Sequence, residues 1–214
     1  MRTSNYLSLF LVFCLITSCT KYKDPNAVTI GSQIWMLKNL DVDHYANGDP
    51  IPMVNGSQWD TLTTGAWCYY DNDLKDTVAQ RTYGKLYNWY AVTDPRGLAP
   101  RNWHIPSKSE WRTLIYHLGG STVAGDSLKS SDYWKSPNGG SGGGSNSSGF
   151  TALPGGARAY GTFLNRRYIG TWWTSSEGTS AKYAGTCVMT GGSRYALLPE
   201  HIKHGGFSVR CIRD

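Results

Sequence analysis

The chain has 214 residues, a net charge of +6 and 17% charged residues, below the usual quarter. Its Lys and Arg are scattered, with no block of five or six, so the charge does not point to nucleic acid. The 25 Gly, 9 Trp and 14 Tyr indicate a loop-rich fold of short strands around a few large aromatic anchors.

Residues 1–18 read as a signal peptide. Arg2 supplies the positive start, and an apolar run follows over residues 7–16. That run is too short for a spanning helix, which needs about 20 apolar residues. It ends in Leu15-Ile16-Thr17-Ser18-Cys19, which resembles the bacterial lipobox: small residues admit the peptidase and the Cys19 thiol takes the lipid. A membrane partner through a lipid anchor on Cys19 is therefore expected. The protein is placed outside the cytoplasm, at a bacterial outer membrane or cell surface. Residues 19–27 read as a polar tether and residues 28–214 as one domain.

Within that domain, residues 28–36 predict a hairpin about Gly31-Ser32. Asn47-Gly48-Asp49-Pro50 is a turn, and residues 66–70 (AWCYY) have strand character. Leu86, Trp89 and Tyr90 in residues 83–92 have helical spacing. A second helix opens at Pro106: Ser107 and Glu110 form a capping box, then Trp111, Leu114, Ile115 and Leu118 make one apolar stripe. Gly119-Gly120 ends it. Residues 137–149 (PNGGSGGGSNSSG) predict a mobile loop that can be shortened without loss of fold. Six short strands are expected after it. Helices followed by strands give an α+β class.

Several strings carry a resemblance. They are YGKLYNWYAV (83–92), WHIPSKSEW (103–111), GFTALPGGAR (149–158), WWTSSE (172–177) and GFSVRCIRD (206–214). Together they resemble the Fibrobacter succinogenes major paralogous domain, and more distantly the sulfatase-modifying factor family. The resemblance implies a C-type lectin-like fold: two helices packed on a twisted antiparallel sheet, with long loops. It also implies a cysteine where this chain has Ala99, the usual partner of the terminal-strand cysteine, here Cys211. That pairing is lost.

Export permits a disulfide. Cys187 with Cys211 is the first expectation, Cys68 with Cys211 the alternative, and Cys68 otherwise a buried small apolar residue. Asp71, Asn72 and Asp73 alternate oxygen ligands, so calcium is admitted but no cofactor is required; the simpler reading is a hydrogen-bonded turn. His201 and His204 read as an exposed loop rather than a metal pair, and His104 as a structural imidazole. Glu110, Arg158, Glu177 and Arg210 sit in motifs beside large apolar residues, so they are expected to be buried and paired. Most tryptophans, Trp103 among them, are expected in the core. Trp59 and Trp134 lie in polar stretches and are the ligand-binding candidates.

No catalytic constellation is visible, so the expectation is a non-enzymatic binding or adhesion module for a glycan or surface protein. The alternative is an enzyme acting on glycans or secreted proteins, like the sulfatase-modifying relatives. The sequence sets no oligomeric state.

Overall fold

The computed structural model describes residues 24–214. The signal peptide, Cys19 and most of the tether lie outside the described residues. The end of the tether is structured: Ala27 N–H donates to Asp24 O and Arg213 pairs with Asp24.

The architecture is α+β. Strand β1 (Ala27–Ile30) pairs with β2 (Gln33–Met36) as expected, with Gly31 at φ +61° in the turn. The same sheet continues to the last strand, β12 (Ile212–Arg213), and then to β5 (Trp103–His104), in the order β1-β2-β12-β5. A second sheet is built on β9 (Tyr183–Thr190). β8 (Ile169–Glu177) lies on one side of it; β10 (Ala196–Leu197) and β11 (Glu200–Ile202) follow one another along the other. Two small hairpins complete the strands: β3 (Trp67–Cys68) with β4 (Leu86–Tyr87), and β6 (Ala157–Ala159) with β7 (Thr162–Leu164). The second hairpin turns on Tyr160-Gly161, both at positive φ, the geometry that matches the right-handed strand twist.

Four α-helices occur among the described residues, where two were expected: α1 (Thr77–Tyr83), α2 (Trp89–Val92), α3 (Lys108–His117) and α4 (Ala124–Leu128). α3 is the helix read from the sequence, and both arms of its Ser107–Glu110 capping box are formed. The helix expected over residues 83–92 does not exist as one unit. Gly84, at φ +73°, ends α1, and a Cβ there would lie 2.9 Å from Leu40 O. Leu86 and Tyr87 are taken into strand pairing with Cys68, Trp67 and Phe207. Asn88 then restarts the helix, its side chain accepting from Ala91 N–H. Tertiary pairing overrides the helical spacing of Leu86, Trp89 and Tyr90.

Successive residues of a strand face opposite sides, and β8 uses this to divide the interior. Trp172 packs with Trp35, Trp111 and Phe150 in one core; Trp173 packs with Tyr87, Trp89 and Phe207 in the other. A smaller cluster holds Trp59, Cys68 and Leu86. The C-terminal segment threads between these groups. Gly206 pairs with Arg158, Phe207 with Tyr87, Ser208 with Trp172 and Ile212 with Trp35 and His104.

On that thread Arg210 is fully buried. It donates to Asn39 Oδ1 from both Nε (3.1 Å) and Nη2 (2.8 Å), and to Phe150 O from Nη1 (2.6 Å). The Phe150 ring lies 4.5 Å from the guanidinium carbon. Among the described residues no carboxylate pairs with Arg210. The expected ion pair is replaced by neutral oxygens, which satisfy the donors without burying a second charge. Desolvation lowers its pKa from 12.5 to about 9, so it remains cationic at neutral pH.

The glycine-rich segment is packed from Gly142 onward, while residues 137–141 are exposed and Gly139 and Gly140 stand in open space. A Cβ at Gly143 would sit 2.2 Å from Ser131 O, and one at Gly144 2.1 Å from Asp126 O. The buried Lys129 ammonium donates to Gly142 O at 2.9 Å, with Thr190 O and Ser193 O as its other acceptors. At the end of the segment Asn146 Oδ1 accepts from Thr151 N–H and Asn146 Nδ2 donates to Thr151 Oγ1. Glycine is required here by close backbone approach, not by freedom of motion. Deleting residues 140–144 strips Lys129 of an acceptor and removes the Gly142–Trp134 and Gly144–Ser130 backbone bonds. The expected cost is about 3 kcal/mol, or a fall of roughly 6–12 °C in thermal melting. A deletion variant that melts with the parent contradicts the packing.

Candidate functional site

The residues singled out in the sequence fall in other places than their neighbours suggest. Trp59 and Trp134 are 0% and 4% exposed, so neither is an exposed binding platform. Trp59 Nε1 donates to His204 O, and Arg158 lies over its ring at 4.5 Å. Trp134 Nε1 donates to Ala152 O. Polar sequence neighbours misplace both, because the chain turns each indole inward while its neighbours face water. Trp103, expected in the core, is only half-buried.

Cys68, Cys187 and Cys211 are free and buried, each in a different cluster. The Cys187–Cys211 bridge is therefore not formed, nor is Cys68–Cys211. Strand neighbourhood was the basis for the first pairing, but Cys187 pairs with Trp172 while Cys211 lies on the thread across β8. Ala99 packs against the cluster that holds Cys211, where the resemblance places the lost partner. Burial pushes Cys68 up to about 11 and Cys211 to about 12, and raises Cys187 further. All three are thiols, not thiolates, at neutral pH.

The acidic turn is committed to local bonds. Asp71 and Asn72 both have positive φ. Asp73 Oδ1 accepts from the N–H groups of Lys75 and Asp76, and Asn72 Nδ2 donates to Asn55 O. Among the described residues no three His, Cys, Asp or Glu side chains converge as a metal site.

Arg158, like Arg210, is buried on neutral oxygens; it donates to Val54 O (2.8 Å) and Gly56 O (2.7 Å). Glu177 departs from expectation: its side chain is 63% exposed and bonds the Lys203 ammonium at 2.6 Å. Its motif position faces outward past the irregularity between Trp173 and Glu177 in β8. His201 is in β11, not an exposed loop; its ring Nδ1 meets Thr186 Oγ1 at 2.9 Å and burial lowers its pKa. His204 bonds the Tyr90 hydroxyl.

His104 is held from both sides, by Glu110 Oε1 on Nε2 and Asp214 Oδ1 on Nδ1, each at 2.8 Å. Carboxylates on both nitrogens favour the imidazolium, and in that form the ring has no lone pair to act as a base. It ties the chain terminus to the start of α3.

A groove opens between α1, the turn from β7 to β8, and Tyr133. Its outer part holds about 310 Å³; Asp76, Ala79, Tyr83 and Arg166 continue it inward to Tyr69 and Tyr70. It thus lies between two places the sequence had marked, the acidic turn and the segment before Trp134. Asp76 caps α1 by accepting from Ala79 N–H at 2.9 Å, which sets Tyr83 and Val78 along the groove. The Tyr83 and Tyr133 rings meet edge to face at 6.2 Å. Arg166 lies over the Tyr70 ring at 4.7 Å. Arg167 is fixed through its backbone, with N–H to Pro154 O and O from Lys135 N–H. Among the described residues neither Arg166 nor Arg167 has a carboxylate within ion-pair distance. Tyr133 and Arg167 adopt φ of +73° and +75°, strained for residues with such side chains. Burial raises the pKa of Tyr83 and Tyr70, so both carry a hydroxyl that can donate.

The family described as the Fibrobacter succinogenes major domain matches residues 28–213. No curated protein matches the chain, and no solved structure does.

The His104 clamp generates a pH signature. Burial opposes the imidazolium, but Glu110 and Asp214 raise its pKa above the ordinary 6.5. Its stabilisation is complete below about 6.5 and is lost as pH rises through the higher folded value. Burial opposes the Glu110 carboxylate, but Ser107 and His104 lower its pKa below 4.5. That contribution is complete above about 4.5 and is lost as pH falls. The melting gap between parent and His104→Gln is therefore expected to be widest at about pH 5–6 and to narrow by about pH 9. A gap that does not change with pH contradicts the clamp.

Proposed function

The chain belongs to the Fibrobacter succinogenes major domain family, and within it we propose a lipid-anchored, extracytoplasmic binding module whose Tyr83–Tyr133–Arg166–Arg167 groove takes a glycan. The observation that carries this is the pairing of aromatic faces with two guanidiniums that have no ion partner among the described residues. Sugar rings stack on aromatic faces, and their hydroxyl and carboxylate groups accept from Arg forks. The groove's size is at the lower end for small-ligand pockets. Strain held at Tyr133 and Arg167 is the kind that persists at binding sites.

The lectin-like fold belongs to this proposal, supported by helices set against antiparallel sheets with long irregular connections. A binding role rather than catalysis is supported by two features. The three thiols are buried, protonated and separate, unlike the reactive cysteines of sulfatase-modifying enzymes. The groove's Asp73 and Asp76 carboxylates are engaged in local turn and cap bonds, each accepting from backbone N–H groups. Anchoring through Cys19 places the domain at the outer membrane or cell surface; among the described residues no helix is long and apolar enough to cross a membrane.

Three measurements test the proposal. Cys19→Ser should move the protein from the membrane to the soluble fraction; equal membrane retention contradicts the anchor. A glycan array probed with the unlipidated chain, with and without calcium, should show binding. Arg167→Gly relieves the positive φ, so it should melt at or above the parent while losing about tenfold or more in affinity. Binding equal to the parent in that variant, or no glycan bound at all, contradicts the groove assignment.

A further inference from the structure

A second groove, of about 640 Å³, lies away from the residues just described. It is walled by residues 42–46 on one side and 98–103 on the other. Trp103 is half-buried along it, and the Arg213 guanidinium covers its ring at 4.6 Å. Arg101 stands exposed at the rim without an ion partner among the described residues, and His44 lies opposite.

The position of this face relative to the chain start is what gives it meaning. Arg213, stacked on Trp103, also pairs with Asp24. Asp24 is further tied to the body by its carbonyl, which accepts from Ala27 N–H, and by Oδ1, which accepts from Asn26 N–H. The tether therefore leaves the domain beside Trp103. Five residue steps separate Asp24 from Cys19, a reach of at most about 17 Å when fully extended. A compact domain of this length is about 40 Å across. A lipid on Cys19 cannot reach the bilayer with the opposite face of the domain turned toward it.

We propose that the Trp103–Arg101 face rests against the bilayer that carries the anchor; this rests on the reading of Cys19 as lipidated. The chemistry of the face suits that occupant. Tryptophan partitions to the headgroup level, with its ring toward the acyl boundary and its N–H toward water. Arg101, exposed beside Trp103, meets anionic headgroups. Pro100 adds apolar surface, while Leu98 backs the groove from the core. The short tether makes contact nearly intramolecular, so a weak surface is enough. The orientation also fixes which parts of the domain face away from the membrane.

Hydroxyl-radical footprinting of the full lipidated protein on vesicles of phosphatidylethanolamine and phosphatidylglycerol tests this, with the Cys19→Ser chain in solution as reference. Oxidation of Trp103 and His44 should slow at least threefold on vesicles while that of Tyr133 is unchanged. A 20-residue Gly/Ser insertion after Lys23 should return Trp103 most of the way to its rate in solution. Equal Trp103 rates with lipid confirmed on Cys19 by mass overturn the orientation and leave the anchor standing. A Cys19 that carries no lipid by mass overturns both. Slowing at Tyr133 in place of Trp103 means that another face meets the bilayer, and it too overturns the proposal.

Discussion

The fold depends on a fully buried cation that has no anion among the described residues. Arg210 brings a guanidinium to the centre of the molecule, where desolvation alone would be prohibitive. Asn39 Oδ1 and the Phe150 carbonyl accept its protons, with longer contacts to Thr151 O and Met36 O. Asn39 does more than accept from Arg210. Its Oδ1 also takes the Trp172 indole N–H at 2.9 Å, and its Nδ2 donates to Tyr83 O at 2.8 Å. One amide thus joins the N-terminal half, the β8 strand, the end of α1 and the last segment of the chain. Each is distant in sequence, so none can leave without stranding a buried polar group.

That node also reaches the groove. Tyr83 is held by its carbonyl on Asn39, and its side chain forms one wall. The opposite wall comes from the turn between β7 and β8, braced by Pro154 O and Lys135 N–H. Thr151, at φ +55°, turns its carbonyl toward Arg210 and closes the glycine-rich segment through Asn146. The glycines beyond Lys135 allow backbones to approach within contact, so Tyr133 and Trp134 are positioned rather than swinging. The segment that looks least structured in composition therefore fixes one side of the site.

What could be read from the sequence was local. The Ser107–Glu110 box, the α3 stripe, the hairpin about Gly31 and the turn at Asn47-Gly48 are each formed by residues close together in the sequence, and all appear. Residues 83–92 were misleading because their spacing is helical while their partners, Trp67 and Phe207, lie far along the chain. Trp59 and Trp134 were misplaced by their polar flanks, and Glu177 by the apolar ones of its motif. Cys187 and Cys211 were paired by strand membership, yet β8 stands between the clusters they occupy; Cys68 is the free, buried small residue of the simpler reading. The groove itself has no linear signature: Tyr70, Tyr83, Tyr133 and Arg166 come from four separate segments. The only hints were the Arg166-Arg167 pair in a turn without neighbouring acids and the acidic turn on the other side.

If one amide couples the distant parts, the coupling is measurable as an energy. A double-mutant cycle with Asn39→Ala and Arg210→Met, followed by denaturant unfolding of the full chain, isolates it. The account predicts that each single variant loses about 3 kcal/mol or more, and that the double variant loses less than the sum by about 1–3 kcal/mol. Additive losses would mean that Asn39 and Arg210 act independently and that the node does not hold the fold together.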